Sequence, residues 1–176
     1  MSNVKKMVIT ALLIAIGIVL PLTLHAIPGA GRIFLPMHIP ILICGIVCGI
    51  PYGLAAGIIT PLLSSLTTGM PPTAIVPAMA FELAAYGTVS AALMHFVPIK
   101  NLYARSYIAL IGAMLCGRVL FGIVNALIFS AGDYSMQIWL TASFVTALPG
   151  IVIQIVIIPS IVVALQKMKL IDVKEA

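Results

Sequence analysis

Residues 7–22 read MVITALLIAIGIVLPL, with Lys5 and Lys6 directly before them. Two readings of this stretch are open: the core of a cleaved signal peptide, or a membrane span that stays in the protein. A signal core holds roughly 7–15 apolar residues and is followed by a small-x-small cleavage site. This run is longer, and no convincing site follows it. The stretch is read as a retained helix over about residues 4–22.

Working outward, the same pattern recurs along nearly the whole chain. Of the 176 residues, 62% are apolar and only 7% charged, and the mean hydropathy is +1.26. A soluble domain carries roughly a quarter charged residues. A chain so poor in charge cannot clothe a water-facing surface, so its main solvent is lipid. The expectation is an all-α integral membrane protein, one domain over 1–176, with six transmembrane helices. They are expected at about residues 4–22, 37–50, 52–66, 74–97, 103–130 and 136–168.

The second and third helices are short. At 1.5 Å per residue they reach about 21–23 Å, against a hydrocarbon core of roughly 30 Å. Two short spans and one re-entrant hairpin are both open, and either returns the chain to the side it left. The stretch 23–36, with His25, Pro28, Gly29, Gly31 and Arg32, and the stretch 67–73, with Gly69, Pro71 and Pro72, are too irregular to face lipid unless protein covers them. A Gly-Asp-Tyr-Ser turn is expected at 132–135. The last run is too long for one straight span. Either Pro149-Gly150 kinks it or its first turns lie in the interface. A charged tail starts at Lys167.

Charge sets the orientation. The net charge of +5 does not signal nucleic acid, because the basic residues fall in the gaps between apolar runs. With the N-terminus inside, the cytoplasmic segments hold Lys5, Lys6, Lys100, Arg105, Lys167, Lys169 and Lys174, seven of the nine Lys and Arg. The positive-inside rule then places both termini in the cytoplasm. Cys44, Cys48 and Cys116 all lie in apolar runs, and an odd number without framework spacing is no disulfide scaffold.

Two ions remain inside expected spans, Glu82 in the fourth and Arg118 in the fifth. Ions in lipid are costly, so such residues face a partner or a cavity. A salt bridge tying the two helices together and a ligand pocket are compatible readings. Tyr86 shares the face of Glu82, four residues on, and Asn125 shares that of Arg118, seven residues on. Trp139, the only tryptophan, starts the last run, either as an interfacial anchor or as a stacking surface. His38 opens the second helix, and a lone histidine is more often a structural hydrogen-bonder than a ligand. Cys44 and Cys48 lie four apart, but a metal would need further ligands, so they are read as packing. Polar groups thus gather in the outer half of the last three helices, beneath two irregular loops. The candidate substrate-binding residues are Arg32, His38, Glu82, Tyr86, Arg118, Asn125 and Trp139.

Small residues also recur at a spacing of four: Ala11 and Ala15 in the first helix, and Gly45, Gly49, Gly53 and Gly57 across the turn between the second and third. This spacing lets helices pack closely in lipid. There is no phosphate-binding glycine loop, no His-Glu-x-x-His and no Gly-x-Ser-x-Gly, and the chain has four acidic residues in all. No enzyme signature, metal site or cofactor is expected.

These features together resemble the substrate-binding S component of energy-coupling factor (ECF) vitamin transporters. The resemblance covers nearly the whole chain. It rests on six apolar runs in under 200 residues, a long loop after the first helix, and the Ala-x-x-x-Ala of Ala11-Leu-Leu-Ile-Ala15. The stretches Leu35-Pro-Met-His-Ile-Pro40, Gly69-Met-Pro-Pro72, Ala80-Phe-Glu-Leu-Ala84 and Leu148-Pro-Gly-Ile151 add to it. It implies that Ala11 and Ala15 dock onto a membrane-embedded coupling subunit that binds two ATPases. It also implies a small vitamin held on the outer side, with pantothenate, a B6 vitamer or a pyrimidine as candidates. Competing readings are a membrane enzyme acting on a lipid headgroup, with Glu82 as base, and a ligand-free assembly subunit.

Overall fold

The computed structural model describes residues 1–24, 26–128 and 135–171. His25, residues 129–134 of the expected fifth helix end and turn, and tail residues 172–176 lie outside the described residues. Every regular element described is helical. Six segments are long and apolar enough to cross a membrane: Asn3–Thr23, Ala30–Cys48, Ile50–Thr68, Val76–Phe96, Leu102–Leu127 and Leu148–Lys167.

Local chemistry sets the ends of these helices. Helix α1 (Asn3–Thr23) starts at Ser2, whose hydroxyl accepts from the Lys5 N–H, meeting one of the donors that a helix start leaves free. The short α2 (Ala30–Phe34) enters from Gly29 at φ 76° and leaves through Leu35 at φ 51°. Helix α3 (His38–Cys48) then continues inward, so α2 and α3 together supply one span where a single short helix from residue 37 was expected. Gly49, at φ 97°, ends α3 and opens α4 (Ile50–Thr68). Such a backbone strains any residue with a Cβ. Gly69 in the left-handed region ends α4. Helix α5 (Val76–Phe96) carries Pro77 in its first turn, where no N–H is missed. The Asn101 side chain accepts from the Ala104 N–H at the start of α6 (Leu102–Ile128).

The last apolar run is broken in a way that the sequence does not announce. It forms α7 (Met136–Leu140), a π-helical segment at Thr141–Thr146, and α8 (Leu148–Lys167). The break therefore precedes Pro149, which sits in the first turn of α8 as a start signal.

Helix α3 is the axis of the bundle and is buried along almost all of its length. Helix α5 packs against it and most extensively against α4 and α6. Glycines make these approaches possible. A Cβ on Gly45 or Gly53 would collide with the Gly87 carbonyl, and one on Gly57 with the Leu83 backbone. This part of the small-residue pattern closes the chain on itself. Ala11 and Ala15 behave differently. Helix α1 buries Thr10, Leu13 and Gly17 and leaves both alanines exposed. The thiols face α1: Cys44 Sγ lies 3.6 Å from Thr10 Oγ1 and Cys48 Sγ 3.8 Å from the Lys6 carbonyl. They serve helix packing, and no metal-binding cluster occurs among the described residues.

Candidate functional site

The first residue of α3, the second turn of α5 and the later half of α6 meet at the end of the bundle that carries the α1–α3 and α4–α5 connections. There the apolar interior holds a charged cluster. Glu82 Oε1 lies 3.0 Å from Arg118 Nη1, and Glu82 Oε2 lies 3.5 Å from His38 Nε2. Glu82 is 2% exposed and Arg118 6%. A buried charge without its partner is strongly destabilising, by about 3–5 kcal/mol, so the pair explains how both ions persist in this bundle. Both carboxylate oxygens face nitrogens of other helices.

Tyr86 follows Glu82 by one turn, and its ring meets that of His38 edge-on at 5.2 Å. It fits because the facing residue on α6 is Gly117, where a Cβ would collide with the ring. Trp139 of α7 is seated on α6 in the same way, over Gly122. Its indole N–H donates to the Arg118 carbonyl at 3.0 Å, and its ring meets Phe144 of the π-helical segment at 5.6 Å. An apolar groove of about 290 Å³ runs between α6 and α7, lined by Val119, Gly122, Ile123, Ala126, Ser135, Met136 and Trp139. The charged cluster does not line it. Trp139, through its bond to Arg118, joins the two.

The bundle brings together His38, Glu82, Tyr86, Arg118 and Trp139. Asn125 is buried two turns beyond Arg118 and donates to the Phe121 carbonyl of its own helix at 2.8 Å. Arg32 is exposed on α2, outside the cluster.

Two polar residues of the last run escaped the sequence reading. Gln154 on α8 is fully buried, and its side-chain nitrogen reaches the Leu35 carbonyl at 3.5 Å. The same carbonyl accepts from the His38 N–H, so Gln154 ties α8 to the entry of α3. A glutamine within an uninterrupted apolar run was the signal that could have found it. Ser143 is buried within the π-helical segment. Such segments often occur at functional sites.

Several polar atoms here have no hydrogen-bond partner within the chain: both ring nitrogens of His38, Glu82 Oε1, Arg118 Nε and Nη2, the Ser143 hydroxyl and Gln154 Oε1. Each such buried atom costs about 1–3 kcal/mol unless something outside the chain satisfies it. The site therefore offers fixed donors and acceptors to a polar ligand.

A family model described as "ECF transporter, substrate-specific component" matches residues 5–162. No curated protein and no solved structure matches the chain. The chain belongs to the substrate-specific components of ECF transporters: it is a multi-pass membrane protein, a transport binding protein and not an enzyme, and its family implies an ECF module as partner and a small molecule as substrate.

Proposed function

We propose that the chain captures a small water-soluble vitamin from outside the cell and delivers it for ATP-driven uptake by an ECF coupling subunit and two ATPases. The observation that carries this reading is the buried Arg118–Glu82–His38 cluster, with polar atoms left unpartnered beneath the α1–α3 and α4–α5 connections. Polar groups inside a membrane bundle are costly and mark ligand pathways. Glu82, Arg118, His38 and Tyr86 form the floor of the site. Trp139 and Asn125 stand nearer its mouth, and Arg32, exposed on α2, adds positive charge at the entrance. Both termini are cytoplasmic, which the distribution of Lys and Arg supports, so the site faces the exterior. Ala11 and Ala15, exposed on α1, dock the coupling subunit. Pantothenate, a B6 vitamer and a pyrimidine are the candidate substrates.

The test is titration of the purified chain in detergent with a panel of B vitamins and pyrimidines, read by Trp139 fluorescence and by calorimetry. Saturable binding of one compound at submicromolar concentration is expected. Absence of any saturable binding by both methods would remove the reading.

A further inference from the structure

We infer that the ligand carries a carboxylate, gripped at two points by the Nε–Nη2 edge of Arg118. This rests on the proposed role of the cluster as the vitamin site and chooses among its candidates. Both oxygens of Glu82 already face nitrogens, Arg118 Nη1 at 3.0 Å and His38 Nε2 at 3.5 Å. A cationic ligand would have to displace one of these to reach the carboxylate. Glu82 Oε1 and both His38 nitrogens also lack a hydrogen bond, but Oε1 is held at ion-pair distance from Nη1, whereas the guanidinium keeps a whole edge without any acceptor. Only Nη1 is engaged with Glu82, while Nε and Nη2 are buried without an acceptor in the chain. These two nitrogens form one edge of a planar fork, with parallel N–H groups that match the two oxygens of a carboxylate.

The position of Arg118 is fixed from two sides, which suits a two-point grip. Glu82 holds Nη1, and the Trp139 indole holds the main-chain carbonyl at 3.0 Å. Charge favours a monoanion over a phosphate dianion. The Arg118–Glu82 pair is close to neutral as a unit, so a carboxylate adds one buried negative charge to it and a phosphate dianion would add two.

The experiment titrates the purified full-length chain by calorimetry with three matched pairs, each one skeleton with and without a carboxylate: pantothenate and pantothenyl alcohol, 4-pyridoxate and pyridoxine, orotate and uracil. The expected result is saturable binding of one carboxylate, with its uncharged partner at least about tenfold weaker, the size of a charge-assisted hydrogen bond. Arg118→Lys keeps a cation beside Glu82 but lacks the fork, and should lower that ratio. Arg118→Gln should abolish it. The ratio is read on whatever fraction of each variant is folded, so partial misfolding does not mimic the result. Tighter binding of an uncharged partner, or a ratio unchanged in both variants, would overturn the carboxylate grip and leave the vitamin-binding reading intact. No saturable binding by any of the six compounds would overturn both.

Discussion

The Trp139 indole donates to the Arg118 carbonyl across 3.0 Å, so the only tryptophan of the chain is bonded to the backbone of the buried arginine on the later half of α6. Helix α7 holds no buried residue, and this bond with the seat over Gly122 is its main attachment to α6. Replacing Trp139 by Phe keeps an aromatic ring but removes the donor. The expected loss is about 1 kcal/mol of stability, the net worth of one such bond. Thermal unfolding followed by circular dichroism measures it. A variant as stable as the parent would mean that the bond contributes nothing. Gly122→Val, which puts side-chain atoms where the indole lies, should shift the Trp139 emission before any ligand is added.

Glu82 and Arg118 stabilise the bundle chiefly by cancelling each other. Glu82→Gln or Arg118→Met alone leaves a buried ion unpaired and should cost about 3–5 kcal/mol. The double variant should cost clearly less than the sum of the two, because neither ion remains. Unfolding in denaturant of the four proteins completes the cycle. Strict additivity would show that the two side chains do not act as a pair. The double variant should also bind no vitamin, which separates the role in folding from the role in binding.

How far the sequence reaches differs from residue to residue. Glu82 and Arg118 are legible because an ion in an apolar run has few physical excuses. Their meeting follows from two helices entering from opposite sides. His38 is legible only as a histidine beside an irregular loop, and the neighbour that gives it meaning comes from a helix forty-four residues later. Gly117 and Gly122 could not be read. A glycine in a membrane helix says that something approaches, and only the packing tells which ring arrives. Arg32 drew notice by its charge, but charge alone does not say which way a loop residue faces, and the structure has it exposed. The π-helical break at Thr141–Thr146 contains neither proline nor glycine, so the usual punctuation of a helix end is missing there. The proline that stood out, Pro149, marks a beginning.

Among the small residues of α1 to α5, burial separates two jobs. Gly53 and Gly87 are in backbone contact within the chain, so Gly87→Ala must push α4 and α5 apart. Overpacking of this kind costs typically 1–3 kcal/mol. The measurement is the melting temperature in detergent, which should fall, with vitamin binding at low temperature reduced in proportion to the folded fraction. An unchanged melting temperature would mean that the helices relax without cost.

Ala11 and Ala15 should give the opposite pattern. Both are exposed on α1, flanked by Leu12 and Ile16, which are also exposed. Nothing within the chain crowds their methyl groups, so Ala11→Trp and Ala15→Trp should leave the stability within about 0.5 kcal/mol of the parent, as surface changes do. Vitamin binding should also be unchanged, since the cluster at Arg118 belongs to other helices. Docking onto a coupling subunit is different, because small residues four apart form a shallow groove that lets a second helix approach closely. A tryptophan there fills the groove. Uptake by proteoliposomes containing the whole ECF assembly should therefore be abolished while binding by the isolated chain persists. Retained uptake in both variants would show that the coupling subunit docks elsewhere, and loss of binding together with uptake would show that α1 supports the site and not only the interface.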